Sequence, residues 1–204
     1  MNQILSTKLP KKIKKHKQFI LQFSISIIAL LFFVFFYIFY EINLEHEHNK
    51  SLELSNNYEI LKLYATQNIN SNKKASDILG NIIIPKLNIN YAFFYGYTEE
   101  LLKTLPCRFY GEMPPTKSNL CITAHNYNDS RFFGRISELQ NNDEIITEDI
   151  LENKFYYYVY DKYEVLENDL SPIEYNDKNN YFLTLITCNN FNKKRIIIKA
   201  VYIF

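Results

Sequence analysis

The feature that most constrains this chain is an uncharged apolar run near its N-terminus, "FILQFSISIIALLFFVFFYIFY", from Phe19 to Tyr40. As an α-helix, these 22 residues are enough to cross roughly 30 Å of hydrocarbon. A secretory signal usually has a shorter apolar core, of about 7 to 15 residues, and a small-residue cleavage site after it. We therefore favour an uncleaved transmembrane helix over residues 19–40, with a cleaved signal as the alternative.

Charge is distributed unevenly on the two sides of this run. Six lysines precede it, and all 22 acidic residues follow it. By the positive-inside rule, residues 1–18 are a basic cytoplasmic tail and the rest of the chain lies outside the cell, which makes this a single-pass protein of the cell membrane. From Glu41 onward 17 basic residues stand against 22 acidic ones, so nucleic acid is not an expected partner.

The segment after the apolar run divides into two parts of different texture. Residues 41–79 are polar, with scattered leucines that permit a loosely amphipathic helix, and we interpret them as an extracellular stalk. Residues 80–204 hold short β-type runs separated by turn residues, and they are predicted to form one globular domain. The chain is long enough for one sizeable core, but hardly for two.

The β-type runs are numerous and short, while helical patterning is scarce. "TEELLKTL" predicts one short helix, with Thr98 as its N-cap. A set of short strands with a single short helix is typical of a closed or nearly closed β-barrel. The predicted strands are NIIIP, LNINYAFF, LCITA, EIIT, FYYYVYDKYEVL, YFLTLIT and RIIIKAVYIF.

Three residues with chemical potential stand at the ends of predicted strands. His125 ends one strand, Cys188 ends another, and Arg195 opens the last. A free thiol with a pKa of about 8.5 is only a few per cent ionised at neutral pH, and neighbouring cations raise the reactive thiolate fraction. An arginine can also stabilise a developing oxyanion. By residue type alone, each also fits a structural role: a buried thiol, a hydrogen-bonded histidine and an exposed charge.

The segment "LTLITC", followed by a short loop and "KKR", resembles the active-site strand, loop and arginine of the sortase family. Sortases are membrane-anchored cysteine transpeptidases of Gram-positive surfaces. The resemblance extends over residues 80–204 and implies a closed β-barrel of about eight strands with one or two short helices. It includes the segments GNIIIPKLNIN, GEMPPTKSNLCITAH and FFGRISELQNNDEI.

Carried over to this sequence, the resemblance implies a role for each candidate. Cys188 would be the nucleophile, His125 the imidazole that protonates the leaving amine, and Arg195 the group that stabilises the oxyanion and positions substrate. Thr187, directly before the nucleophile, would be a substrate-binding residue. The sequence departs from the family where glycines are common, and the replacements there are Pro115, Ser118, Ala124 and Asn142.

The implied reaction is a two-step acyl transfer without a metal or another cofactor. The enzyme would cleave a C-terminal LPXTG-like sorting motif of surface proteins through a cysteine thioester. It would then transfer the acyl group to an amine acceptor such as a cell-wall precursor peptide. Two alternatives remain open: a membrane-tethered cysteine hydrolase, and a non-catalytic peptide-binding surface module.

Segment lengths favour a class A or class D-like enzyme within the family. Residues 167–180 are too few for the long helical insertion of class B, and no second hydrophobic span follows the last strand, as it often does in class C. The carboxylates of Glu164, Glu167 and Asp169 could hold calcium, but such carboxylates on a surface loop are usually only solvated, and no metal is expected.

The two remaining cysteines permit two interpretations. An extracellular domain can hold a disulfide between Cys107 and Cys121, which would leave Cys188 free. Cys121 also lies inside an apolar strand, where a buried thiol is equally natural. The sequence leaves both possibilities open.

Overall fold

The computed structural model describes residues 11–56 and 74–203. The predicted tail up to residue 10 and the part of the predicted stalk from 57 to 73 lie outside the described residues. The chain separates into two compact units, one ending at His46 and the other beginning at Glu47.

A long N-terminal helix, α1 (Lys11–Asn56), contains the apolar run. Its segment Phe19–Asn43 has a mean hydropathy of 2.6, and none of it is buried inside the protein. The hydroxyls of Ser24 and Ser26 donate to carbonyl oxygens one turn earlier, so these two hydroxyls are satisfied within the helix. Within the described residues this is the one helix long and apolar enough to cross a membrane, and it fits a single-pass anchor.

Residues 74–203 form a closed barrel of eight strands, as predicted. The strands are β1 (Ile78–Ile84), β2 (Ile89–Phe94), β3 (Cys107–Tyr110), β4 (Asn119–Thr123), β5 (Glu144–Asp149), β6 (Lys154–Leu166), β7 (Phe182–Asn189) and β8 (Lys194–Tyr202). Around the barrel the strand order is β1-β2-β3-β4-β7-β8-β6-β5, and β5 pairs with β1 to close it. The pairs β2–β3 and β4–β7 are parallel, and the other pairs are antiparallel.

The core fills the barrel because every second side chain of a strand points inward, and those of β7 and β8 include apolar side chains of the core. In β7 the side chains of Leu183 and Leu185 point inward, and in β8 those of Ile196, Ile198 and Ala200 do the same. Since successive side chains on a strand point to opposite faces, the intervening residues of β7 and β8 face the outside of the barrel. Cys188 of β7 and Arg195 of β8 lie on that outer face.

The short elements show where the sequence prediction succeeded and where it missed. Helix α2 (Glu99–Leu102) begins where predicted, because the Thr98 hydroxyl accepts a hydrogen bond from the backbone N–H of Leu101 at 3.1 Å. Strand β3 was not predicted: it has four residues, and two of them are exposed, so it carries little periodic signal. Three single-turn 3-10 helices were also missed: Pro85–Leu87, Ile136–Glu138 and Ser171–Ile173.

Asn142 adopts a left-handed conformation, with φ of 71°. It is one of the positions where the sequence departs from glycine, and asparagine is the residue best able to replace glycine in this region. Its backbone N–H donates to the carbonyl of Val159 at 2.8 Å, which fixes the turn before β5.

The three cysteines are all described, and each is a free thiol. Cys107 and Cys121 lie on the adjacent strands β3 and β4 but out of register, since Cys107 is opposite Thr123 and Cys121 is opposite Tyr110. Both are fully buried. Burial raises the pKa of each of these two thiols to about 12. The structure therefore favours the buried-thiol interpretation over the disulfide.

Candidate active site

The functional candidates lie in one row across three neighbouring strands. Strand β4 pairs with β7, and β7 with β8. Cys188 and Arg195 are direct partners across β7 and β8. The last pair of β4 and β7 is Thr123 with Ile186, and His125 and Cys188 each follow that pair by two residues. Because side chains alternate, both project to the same outer face as the pair before them.

This row opens on a cavity of about 310 Å³. His125, Cys188 and Arg195 all line it, so the structure brings the three predicted residues together. The residues that flank them have mostly apolar side chains that can contact an extended peptide. These include Tyr97, Phe109, Leu170, Pro172, Ile173 and Ile186.

The guanidinium of Arg195 contacts the nucleophile candidate directly. Its Nη1 donates to the sulfur of Cys188 at 2.7 Å. Its Nη2 lies 3.4 Å from a carboxylate oxygen of Glu167, in an exposed ion pair. The guanidinium places a positive charge beside the sulfur, and its remaining N–H groups can stabilise negative charge that develops on a substrate oxygen.

His125 follows β4 and is partly exposed in the cavity. Its ring centroid lies 5.2 Å from that of Tyr127. Its backbone carbonyl accepts a hydrogen bond from the N–H of Phe133 at 3.1 Å, so the segment after the histidine folds back on it. An imidazole in this place can exchange protons with a group held at the sulfur, because both side chains enter the same cavity.

Thr187 lies on the opposite face from the cavity. Its side chain is 1% exposed, and its hydroxyl donates to the carbonyl of Ala124 at 2.7 Å. That carbonyl belongs to the residue directly before His125. The hydroxyl is thus used inside the protein, where it ties the strand of the nucleophile to the residue that precedes the histidine.

Two asparagines that the sequence analysis did not single out connect the same two segments. The side-chain amide of Asn126 donates to the carbonyl of Cys188 at 2.7 Å. The amide of Asn190 donates to the carbonyl of Asn126 at 2.9 Å and to Oδ1 of Asn128 at 3.1 Å. The available signal was the clustering of asparagine directly after both functional strands, in "HNYND" and "CNNFN".

One wall of the cavity is held by a buried polar network. Asn119 donates through its side-chain amide to the carbonyls of Pro172 and Ile173, at 3.1 and 3.0 Å. The Lys199 ammonium donates to the Pro172 carbonyl at 2.8 Å, and Asn119 accepts from the hydroxyl of Thr184 at 2.7 Å. Burial lowers the pKa of Lys199. These donors fix the 3-10 turn that carries Pro172 and Ile173.

The carboxylates around the cavity are already engaged by other groups. Glu99 accepts a hydrogen bond from the hydroxyl of Tyr97, which raises the pKa of that phenol to about 12. Asp169 accepts from the backbone N–H of Ser171 at 2.8 Å. Glu164 accepts from the side chains of Asn189 and Asn192 outside the cavity. Over residues 11–56 and 74–203, no group of three or more His, Cys, Asp or Glu is placed to hold a metal ion.

Comparisons with known proteins give matches to one family. A family model described as Sortase domain matches residues 82–203. The sortase D5 transpeptidase of Clostridium perfringens has 25% sequence identity and a TM-score of 0.61, with 78% of this chain and 98% of that chain covered. Sortase A of Listeria monocytogenes has 25% identity and a TM-score of 0.57, with 64% and 89% covered.

A third solved structure includes a sorting motif. Sortase C of Clostridium perfringens, determined with the C-terminal cell wall sorting motif, has 20% identity and a TM-score of 0.57, with 78% of this chain and 90% of that chain covered. A comparison with curated proteins gave no match.

Proposed function

The chain belongs to the sortase family of cysteine transpeptidases, and we propose that it cleaves an LPXTG-like sorting motif at the C-terminus of surface proteins and joins the new acyl end to a cell-wall amine. The observation that carries the proposal is the 2.7 Å contact between Arg195 Nη1 and Cys188 Sγ, with His125 in the same cavity. A nucleophile, a proton carrier and an oxyanion stabiliser are the groups that acyl transfer requires.

In the first step, the thiolate of Cys188 attacks the carbonyl carbon of the motif's threonine. The electron pair of the carbonyl moves to oxygen, and the guanidinium of Arg195 stabilises this oxyanion. As the intermediate collapses, the bond to the following amide nitrogen breaks, and the imidazolium of His125 gives its proton to that nitrogen. The glycine-side fragment leaves as an amine, and the acyl group remains on sulfur as a thioester.

In the second step, an acceptor amine attacks the thioester carbonyl. The now neutral imidazole of His125 takes the proton that the amine loses. The intermediate collapses with cleavage of the carbon–sulfur bond, which restores the thiolate beside Arg195 and releases the new amide. The enzyme thereby returns to its starting protonation state.

The cavity supports a peptide with apolar side chains as the substrate. Its walls combine Tyr97 and Phe109 on one side with Leu170, Pro172 and Ile173 on another. A structural relative, the sortase C of Clostridium perfringens, was solved with a C-terminal cell wall sorting motif. The two relatives at 25% identity are a sortase D5 and a sortase A, which supports a class A or class D-like enzyme.

We further propose the arrangement in the membrane. Residues 19–40, within the apolar segment Phe19–Asn43, would span the bilayer, with residues 1–18 in the cytoplasm and the barrel, as the catalytic domain, outside the cell. Six lysines and no acidic residue precede the span, and this charge distribution supports the orientation. Residues 41–79 would then connect the membrane to the barrel as a stalk. The barrel would thereby lie outside the cell, in a place where surface proteins and cell-wall precursors are both accessible.

The test uses the full chain in detergent micelles. The protein is incubated with a library of fluorogenic LPXTG-pattern peptides, with and without an amine acceptor, beside Cys188→Ala and His125→Gln. We expect cleavage, an amide product that forms only with the amine, and an acyl-enzyme mass on Cys188 when the amine is absent. Cys188→Ala should form neither the amide product nor the acyl-enzyme.

The alternative outcomes separate the remaining possibilities. Cleavage with a product that does not change on addition of amine would identify a hydrolase that gives its thioester to water. If no peptide is cleaved and no acyl-enzyme forms across the library, the proposed substrate class is wrong. Activity that survives in Cys188→Ala would remove this residue from the reaction.

A further inference from the structure

We propose that Asn126 and Asn190 are positioning residues that hold His125 and Cys188 in register. Each asparagine reaches from one catalytic segment to the backbone of the other, and we call this pair of contacts the asparagine clasp. The inference rests on the proposed function, since it assigns these two residues a part in the geometry of the same reaction.

Strand pairing alone does not fix the two catalytic side chains relative to each other. The ladder of β4 and β7 ends at Thr123 and Ile186, and the last backbone hydrogen bond of this region runs from Ala124 N to Ile186 O at 3.2 Å. His125 and Cys188 both lie beyond it, and of the two only Cys188 is still held in a ladder, through its pairing with Arg195 of β8. Backbone past the end of a ladder moves more freely unless other hydrogen bonds hold it. A proton transfer between the two sites therefore needs additional fixation.

The clasp supplies that fixation from both directions. Asn126, next to the histidine, donates to the carbonyl of Cys188 itself at 2.7 Å. Asn190, two residues after the nucleophile, donates to the carbonyl of Asn126 at 2.9 Å. Each bond closes a sequence separation of more than 60 residues. Together they continue the connection between the two strands after the ladder has ended.

The clasp acts on the catalytic backbone without meeting the substrate. Among the described residues, neither asparagine belongs to the set that lines the cavity. Its loss should therefore change the approach of His125 to the reacting centre and leave peptide binding nearly intact. A displacement of about 1 Å in a catalytic group can lower the rate on the order of 100-fold.

The test compares three single variants of the full chain in detergent micelles. Asn190→Ala removes one bond of the clasp at an exposed side chain, so it endangers folding least. Asn126→Asp keeps the shape of the side chain and removes the donor. Asn192→Ala is the matched control, because Asn192 lies in the same loop but donates to the side chain of Glu164 rather than to the backbone of a catalytic segment.

We expect kcat for transpeptidation to fall about 10- to 100-fold in Asn190→Ala and Asn126→Asp, with KM within about twofold of the wild type. The double variant should be little worse than the more impaired single variant, because the two bonds work as a unit. Asn192→Ala should keep the wild-type kcat. Equal kcat in all three variants, or a rise in KM alone, would overturn the inference.

A second measurement does not depend on activity. The N–H of Phe133 donates to the carbonyl of His125, so its hydrogen exchange reports the order of the histidine segment. We expect faster exchange there in Asn190→Ala and Asn126→Asp than in Asn192→Ala. Unchanged hydrogen exchange at Phe133 would overturn the clasp, whatever the result of the peptide assay. Faster exchange in the two clasp variants would support the clasp even if no peptide is cleaved. In that case only the proposed substrate would be contradicted.

Discussion

Arg195 and Cys188 are partners across β7 and β8, and the guanidinium of the first lies 2.7 Å from the sulfur of the second. The contact follows from the antiparallel register, because directly opposed residues of two strands point to the same face. Arg195 also reaches Glu167 at 3.4 Å, so one planar fork bridges the nucleophile and the loop after β6.

Replacement of Arg195 should affect the chemical step. Arg195→Ala removes the charge beside the sulfur, and loss of one oxyanion donor typically lowers kcat about 100- to 1,000-fold. Arg195→Lys should recover only part of this, because an ammonium is a point charge without the planar fork. Steady-state kinetics with a sorting-motif peptide provide the measurement. Arg135→Lys is the control, since Arg135 pairs with Glu138 away from the cavity, and an equal loss in that variant would contradict the assignment.

Thr187→Val should lower both stability and turnover. Valine has nearly the same shape, but it leaves the buried carbonyl of Ala124 without its hydrogen bond, which costs about 1–3 kcal/mol. Because that carbonyl precedes His125, kcat should fall as well. Thermal unfolding and peptide kinetics test the two effects. Thr147→Val, at another buried threonine on β5, should leave kcat unchanged, and a normal kcat in Thr187→Val would limit Thr187 to a stabilising role.

Lys199→Met should weaken peptide binding through the cavity wall. Methionine fills the buried space but cannot donate to the carbonyl of Pro172, so the turn that carries Pro172 and Ile173 should loosen. We expect KM to rise about 3- to 10-fold with a small change in kcat, because the wall stabilises the bound substrate and the transition state equally. Stability should change little, since replacement of a buried charge by an apolar side chain is often neutral.

The matched control for this prediction is Lys162→Met. Lys162 also donates its ammonium to backbone carbonyls near a 3-10 turn, those of Ser137 and Leu139, but it lies outside the cavity. Its replacement should leave KM unchanged. An equal rise of KM in both variants would indicate a general loosening of the barrel rather than a specific effect on the wall.

The buried thiols should make the barrel sensitive to alkaline pH. Burial raises the pKa of Cys107 and Cys121 from 9.0 to about 12. The unfolded chain releases these protons near pH 9, while the folded chain keeps them, so stability is fully present below pH 9 and is lost as pH rises toward about 12. Melting temperatures at about pH 8 and about pH 10.5 measure the loss. It should be smaller in the double variant Cys107→Ala/Cys121→Ala, and an equal loss would assign it to other groups.

Local patterns were sufficient to predict the class of fold. The short β-type runs of β7 and β8, the turn residues between short strands and the N-cap at Thr98 are all read from neighbouring residues, and the structure has both strands and the cap where predicted. Strand β3 escaped because four residues with two exposed give no period, and its pairing with β2, at one position, and with β4 is not visible in that segment alone. The buried state of Cys107 likewise depends on strands that no local window contains.

The sequence by itself determined that this chain carries an apolar helix long enough for a membrane, a β-barrel and a thiol, an imidazole and a guanidinium at strand ends. Only the tertiary structure decided that His125, Cys188 and Arg195 share one row, since parallel pairing of β4 with β7 joins residues more than 60 positions apart. The same applies to Thr187, Asn126 and Asn190, whose hydrogen bonds connect distant segments. The physical reason is that periodicity and capping are local properties, whereas register between distant strands is set by packing of the whole core.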